Sequence, residues 1–297
     1  MMFLVKNKIV GSMATFPGRF NILRDVVKSI APQLDQLFIY VNTTTEGVPD
    51  FTDLPHVTVL DGREYAGDLS ARGKIYPLKF MTDCIVFTLD DDFVYPHDYV
   101  SKNMDILNRF HGRCMTTTHG SIMPPKVDWY YERTGMMMSI RRTDHLQLCT
   151  LAGSGTACFD QRTLPLDLDD LLKETMVDLQ MSIAARDAGL PIWVLPRPEG
   201  WLHNFKTDGL FQAFSQSGLT PHTYLARPED WSFDIYARIA RNAMERAEVT
   251  AAEIGLDPEL AVGLITGELP ANWRQGRVGY EKRRDYLNFM LTLAEQD

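Results

Sequence analysis

Along the first two thirds of the chain, short apolar β-branched runs alternate with segments of helical period. That pattern predicts an α/β fold with a mostly parallel sheet. Strands are expected at Lys8 to Thr15, Leu37 to Asn42, Val57 to Leu60, a run ending at Asp90, Arg113 to Thr118 and Ile192 to Leu195. His145 to Leu151 and Gly155 to Phe159 read as extended. Helices are expected at Asn21 to Ala31, closed by Pro32, then at Arg72 to Thr82 and His97 to Phe110. A further helix, Thr175 to Ala188, is closed by Gly189 and Pro191. Between Met123 and Arg142 the periodicity gives way to aromatics, methionines and charges, the pattern of a segment that covers a binding site or moves. From Trp231 onward the pattern is helical, which puts a boundary near residue 228. Residues 1–228 then form the α/β domain and 229–297 a helical extension.

One of those strands ends in an unusual way. Cys84-Ile85-Val86-Phe87-Thr88-Leu89 runs directly into Asp90-Asp91-Asp92. Burying an unpaired carboxylate is costly, and three adjacent ones repel each other. A strand tip of this kind calls for a compensating cation. Mg²⁺ or Mn²⁺ with a phosphate-bearing ligand suits these hard oxygen donors, and a solvated acidic turn is the alternative.

Composition narrows the field. The chain has 297 residues, 45% hydrophobic and 23% charged, enough for one large α/β domain with an appendage. A formal charge of −9 gives no general attraction to nucleic acid or to anionic membranes. Met1 to Val10 is a short apolar run interrupted by Lys6 and Lys8, without the long apolar core and small-residue cleavage site expected of a secretory leader, and no apolar stretch approaches the roughly 20 residues that span a bilayer. Cys84, Cys114, Cys149 and Cys158 lack metal-binding spacing and read as buried thiols of a reducing, cytoplasmic protein.

Two further stretches carry chemistry of their own. Ser12 to Arg19 passes from a strand end through Pro17-Gly18 into a helix, a position where open α/β sheets bind nucleotides. Arg19 is suited there to a phosphate or a base, or to a solvated helix start. In Gly67-Asp68-Leu69-Ser70-Ala71-Arg72-Gly73-Lys74, Asp68 suits a ribose or base, while Arg72 and Lys74 neutralise phosphate charge. A glycine turn capped by Asp68 is the alternative there.

Taken in order, Thr15-Phe16-Pro17-Gly18-Arg19, Gly67-Asp68 with Gly73-Lys74, and Leu89-Asp90-Asp91-Asp92 followed by Tyr95-Pro96 and Asp98-Tyr99 resemble the bacterial family 2-type glycosyltransferases of the GT-A fold. Many of these build capsular or surface polysaccharide. The similarity continues through His119-Gly120, Gly153 to Ala157, Met176-Val177-Asp178 and Trp201-Leu202, and so spans residues 8–205. The resemblance implies a nucleotide-diphosphate sugar donor, a UDP-sugar by preference, and a Mn²⁺ or Mg²⁺ cofactor. Asp90 and Asp92 match the family's D-x-D pair and serve metal and ribose, with His203 a third metal ligand. Asp91 lies between them and is counted with the donor site, although strand geometry turns it to the opposite face. Thr15, Pro17, Arg19 and Asn42 line the nucleotide from the first two strand ends. Asp68 and Lys74 lie near the base or ribose, and Gly155 and Thr156 approach the sugar or diphosphate.

On the acceptor side the resemblance implies Asp178 as the base of an inverting single displacement. The chain departs from the family here, with Val177 where an acid is common, so Glu174 and Asp170 compete for the role. His119 is a candidate sugar contact, and Trp129, Tyr130 and Tyr131 are candidates for stacking on a sugar ring. The acceptor is a glycan, a lipid-linked molecule or another hydroxyl compound, and the chain is compatible with a homo-oligomer. Helix, glycine turn and helix between Val249 and Pro270 have the spacing of a helix-turn-helix, though without the basic face of a DNA reader. That spacing keeps glycosylation of modified DNA bases as an alternative. A sugar nucleotidyltransferase and a non-catalytic sugar-nucleotide-binding module are the remaining rivals. Pro17-Gly18-Arg19 is too short for the triphosphate loop of the first.

Overall fold

The computed structural model describes residues 5–42, 47–125, 127, 133–173, 176–205 and 231–274. Eight strands form its central sheet: β1 (Ile9–Thr15), β2 (Gln36–Val41), β3 (Val57–Asp61), β4 (Ile85–Leu89), β5 (Met115–Thr117), β6 (Gln147–Cys149), β7 (Cys158–Asp160) and β8 (Ile192–Val194). Their order across the sheet is β6-β8-β5-β7-β4-β1-β2-β3. Six of the eight run in one direction, and β6 and β7 oppose them, which bears out a mixed α/β fold with a mostly parallel sheet. Central strands covered on both faces read as nearly continuous apolar runs. In keeping with that, Val86, Phe87 and Leu89 of β4 and Val10 and Met13 of β1 are fully buried.

The chain leaves β1 for β2 and β3 on one side, then returns to lay β4 on the other. The strand order therefore reverses between β1 and β4, and the carboxyl ends of these two strands open a crevice. The register aligns Met13 of β1 with Leu89 of β4 and Thr15 with Val41 of β2.

Helix α1 (Phe20–Ile30) buries Leu23, Val26, Val27 and Ile30, one stripe at helical spacing. Helix α2 (Tyr99–Arg109) does the same with Tyr99, Val100, Asn103, Ile106 and Leu107. Helices α3 (Leu168–Lys173) and α4 (Val177–Asp187) precede β8. Arg72 to Thr82 departs from the expected helix and forms two 3₁₀ turns, Ser70–Lys74 and Tyr76–Phe80. Pro77 explains the break, because it has no N–H to give an α-helix and it disfavours a helical residue before it. Within the stretch read as irregular, Gly135–Met137 pairs with Gly120–Ile122, which also pairs with Leu151–Ala152 in a small second sheet.

Past residue 230 the described chain forms α5 (Phe233–Ala247) and α6 (Pro258–Thr266). Asp257 caps α6 by accepting from the Leu260 amide at 3.0 Å, and Gly267 ends it in the left-handed region. Trp231, Tyr236, Leu260 and Trp273 join the same core as the sheet. Backbone bonds from Leu146 N–H to Gly255 O (2.9 Å) and from Asp257 N–H to Leu146 O (3.0 Å) fasten the extension to the segment leading into β6. The expected boundary at residue 228 falls outside the described residues. All four cysteines are buried thiols outside any disulfide. Among the described residues no helix is long and apolar enough to cross a membrane.

Candidate functional site

The crevice between the ends of β1 and β4 gathers the acidic cluster and two cations. Each carboxylate of the cluster lies on one of the chain's own buried basic groups. The Lys74 ammonium bonds Asp90 Oδ1. The Arg19 guanidinium lies 2.7 Å from Asp92 Oδ2 and 3.4 Å from Asp91 Oδ1. The compensating charge that the strand end demands is therefore supplied in part by the protein itself. Arg19 and Lys74 are each 5% exposed, so both are internal counter-ions rather than groups reaching out from the surface.

Backbone construction explains how they arrive. Pro17 opens the 3₁₀ turn Pro17–Arg19, and its fixed φ suits the first position of a helical turn. The turn folds Arg19 inward, with the Arg19 N–H bonded to Phe16 O at 2.9 Å. The turn Ser70–Lys74 lies over β1, where the Ser12 hydroxyl donates to Lys74 O at 2.6 Å. Nothing in the sequence pattern marks Ser12 for this supporting role.

Asn42 is committed to holding these loops together. Its amide nitrogen donates to Thr15 O and Ser70 O, both at 3.2 Å, and its oxygen accepts from Leu69 N–H at 2.9 Å. Asp68 is exposed and caps its own turn, accepting from Ser70 N–H at 2.8 Å. Ser70 adopts a φ of 52°, a conformation that costs a non-glycine residue energy. Thr15 is fully buried, and the β1–β4 register carries it beside Asp91.

On the other wall runs Gly153-Ser154-Gly155-Thr156. Gly155 O accepts from Asp90 N–H at 3.0 Å. A Cβ at Gly155 would stand 1.8 Å from Asp90 Oδ2, so only glycine lets the loop close on this carboxylate. Thr156 turns inward, with its hydroxyl 2.9 Å from that of Thr117 and within 3.2 Å of the His119 amide.

Burial and crowding set the charge states. Desolvation pushes the Asp91 carboxyl up to about 6, against the pull of the Thr15 hydroxyl and Arg19. The Asp92 carboxyl is also raised, by burial first and by the Asp90 charge second. Burial alone would lower the Lys74 ammonium, but attraction to Asp90, with Asp178 and Asp91 behind it, raises it. Lys74 is therefore a permanent cation. Asp178 occupies the first turn of α4. The Asp178 charge is felt by both Lys74 and His119.

The structure thus brings together Thr15, Arg19, Lys74, Asp90, Asp91, Asp92, Gly155 and Asp178. The strand that carries His203 pairs with Phe93–Val94, directly after Asp92, and the Phe205 N–H donates to Asp92 O at 2.8 Å. His203 is exposed on the strand His203–Asn204, paired with Val94, and among the described residues no set of three or more His, Cys, Asp or Glu side chains forms a metal cluster. Trp129, Tyr130, Tyr131 and Glu174 lie outside the described residues, as does the side chain of Asp170.

No protein-family model and no curated protein matches the sequence. Among solved structures, the chain is similar to S. aureus TarS 1-349, with 13% identity and a TM-score of 0.45, over 95% of this chain and 78% of that one. The same fragment in complex with UDP-GlcNAc gives 13% identity and 0.45, over 94% and 79%. A likeness of this degree transfers no residue's role.

Proposed function

We propose that the chain is a glycosyltransferase that moves a sugar from a nucleotide-diphosphate donor to an acceptor hydroxyl. The observation that carries this reading is the crevice at the β1–β4 reversal. There a buried Lys74 is fixed on Asp90, the most open carboxylate of the cluster, and Asp178 stands within electrostatic reach. A buried, permanently charged ammonium stabilises negative charge more strongly than an exposed one, because water does not screen it. A diphosphate leaving group develops just such a charge.

In this mechanism Asp178 accepts the proton of the acceptor hydroxyl as its oxygen bonds the anomeric carbon. The bond from that carbon to the diphosphate oxygen breaks on the opposite face, and the electron pair leaves with the diphosphate beside Lys74. Configuration inverts in one displacement. Asp90 and Asp92 offer the hard oxygens that Mg²⁺ or Mn²⁺ prefers. Two carboxylates suit an ion whose remaining ligands are donor phosphates and water. Such an ion would supply further charge neutralisation at the diphosphate.

A panel of nucleotide sugars with Mn²⁺ tests the reading. At 100 times its Kd a ligand of the native state stabilises it by about 2.7 kcal/mol, which raises the melting temperature. Asp178→Asn is expected to retain this shift and lose transfer. No shift with any donor, or wild-type transfer by Asp178→Asn, would overturn the assignment.

A further inference from the structure

The Gly153–Thr156 loop admits two functional side chains, of which the mechanism above uses one. Gly155 receives Asp90. At Gly153 a Cβ would stand 2.9 Å from His119 Cβ and 3.2 Å from its Cγ and Cδ2, so the His119 ring is seated against this second glycine. Two residues of chain span at most about 7 Å. Imidazole and carboxylate therefore abut the same short loop, at glycines two residues apart.

The backbone of His119 is fixed independently of its ring. Its N–H faces the hydroxyls of Thr117 and Thr156, each at 3.2 Å, and those hydroxyls are 2.9 Å from each other. Its carbonyl accepts from Gly153 N–H at 2.7 Å and from the Thr117 hydroxyl at 3.0 Å. The ring takes no part in this scaffold. The residue is partly exposed, and among the described residues neither ring nitrogen has a hydrogen-bond partner.

The charges facing the ring are mixed. Asp178 and Asp90 favour its protonation, Arg197 and Arg133 oppose it, and burial outweighs them all, holding it down to about 4. At neutral pH it is an uncharged imidazole with one N–H donor and one bare nitrogen acceptor. That pair matches a hydroxyl, which also donates and accepts, better than it matches a phosphate. So weak a base is unsuited to taking the acceptor proton.

We propose that His119 is a sugar-contacting residue that hydrogen-bonds a hydroxyl of the transferred sugar between the donor diphosphate and Asp178. The inference rests on the nucleotide-sugar reading of the site. It assigns His119 to sugar selection and leaves nucleotide binding to the β1–β4 side of the crevice.

Calorimetric titration of UDP-, GDP- and dTDP-linked hexoses and their parent diphosphates tests it in wild type, His119→Ala and His119→Asn. Wild type is expected to bind one sugar nucleotide more tightly than its parent diphosphate. His119→Ala is expected to lose that preference by about 3- to 10-fold while binding the diphosphate as wild type does. His119→Asn, which can still donate and accept, restores part of it. An unchanged preference in His119→Ala overturns the sugar contact and leaves the transferase reading standing. Equal losses for diphosphate and sugar nucleotide also overturn it, by showing a structural role. If wild type binds no member of the panel, the transferase reading fails and the sugar contact with it.

Discussion

Asp91→Asn removes the most costly charge of the acidic cluster, and its effect can be worked out in advance. The Asp91 carboxyl is 8% exposed, and burial lifts it from an ordinary 3.8 to about 6. A group raised in the folded state holds its proton more tightly there than in the unfolded chain. Its stabilising contribution is complete below about pH 4 and is lost as pH climbs through about 6. At 1.36 kcal/mol per tenfold change in affinity, the loss amounts to about 3 kcal/mol. Asparagine has nearly the same shape and no proton to lose. Urea denaturation from pH 4 to pH 7.5 reads the difference in stability between Asp91→Asn and wild type. That difference should move in favour of the variant by about 2 to 2.5 kcal/mol across the range, since an unfolded Asp is already about half ionised at pH 4 and groups remote from Asp91 cancel. Parallel stability profiles, or a variant that weakens relative to wild type as pH rises, would refute the assignment of a strained buried charge.

Gly155→Ala places a methyl group where Asp90 Oδ2 stands. It should cost about 1–3 kcal/mol in a denaturation midpoint and displace the carboxylate; wild-type stability with wild-type transfer would contradict the close approach. Lys74→Met takes the cation from Asp90 and should lower nucleoside diphosphate affinity tenfold or more by calorimetry. It should also destabilise the fold by about 1–3 kcal/mol, a modest figure because Asp90 is 38% exposed. For the divalent ion, chelation should abolish transfer and Mn²⁺ restore it. His203→Ala should keep the same Mn²⁺ dependence, since among the described residues His203 forms no three-residue ligand group with the acidic pair. An altered metal requirement in that variant would restore His203 as a ligand.

The chain announces its sheet more clearly than its site. β1, β2 and β4 are legible because buried central strands need apolar side chains on both faces, and Ile85–Leu89 and Gln36–Val41 supply them. The acidic cluster is legible because three carboxylates at a strand tip have few structural uses. Their partners are not, because pairing between Lys74 and Asp90, or Arg19 and Asp92, depends on how two loops cross in space. Asn42 illustrates the difficulty: a polar residue at a strand end signals a binding site, yet its amide is spent on three backbone groups. The helix expected over Arg72 to Thr82 fails at Pro77, whose missing N–H breaks an α-helix whatever the apolar spacing around it. The slot of β7 between β4 and β5 is a long-range pairing that hydrophobic alternation does not encode.

That slot governs the order in which the molecule is built. β1 to β4 come from residues 9–89 and pair only with one another on one side, so this half can assemble as soon as it is made. Until residue 158 emerges, however, β4 is a bare edge with the sequence Ile-Val-Phe-Thr-Leu, a template for pairing with other chains. The same late strand brings Gly155 onto Asp90. Protection of the nascent sheet and completion of the acidic crevice are therefore one docking event, and a chain halted before residue 158 would emerge both sticky and without a finished site.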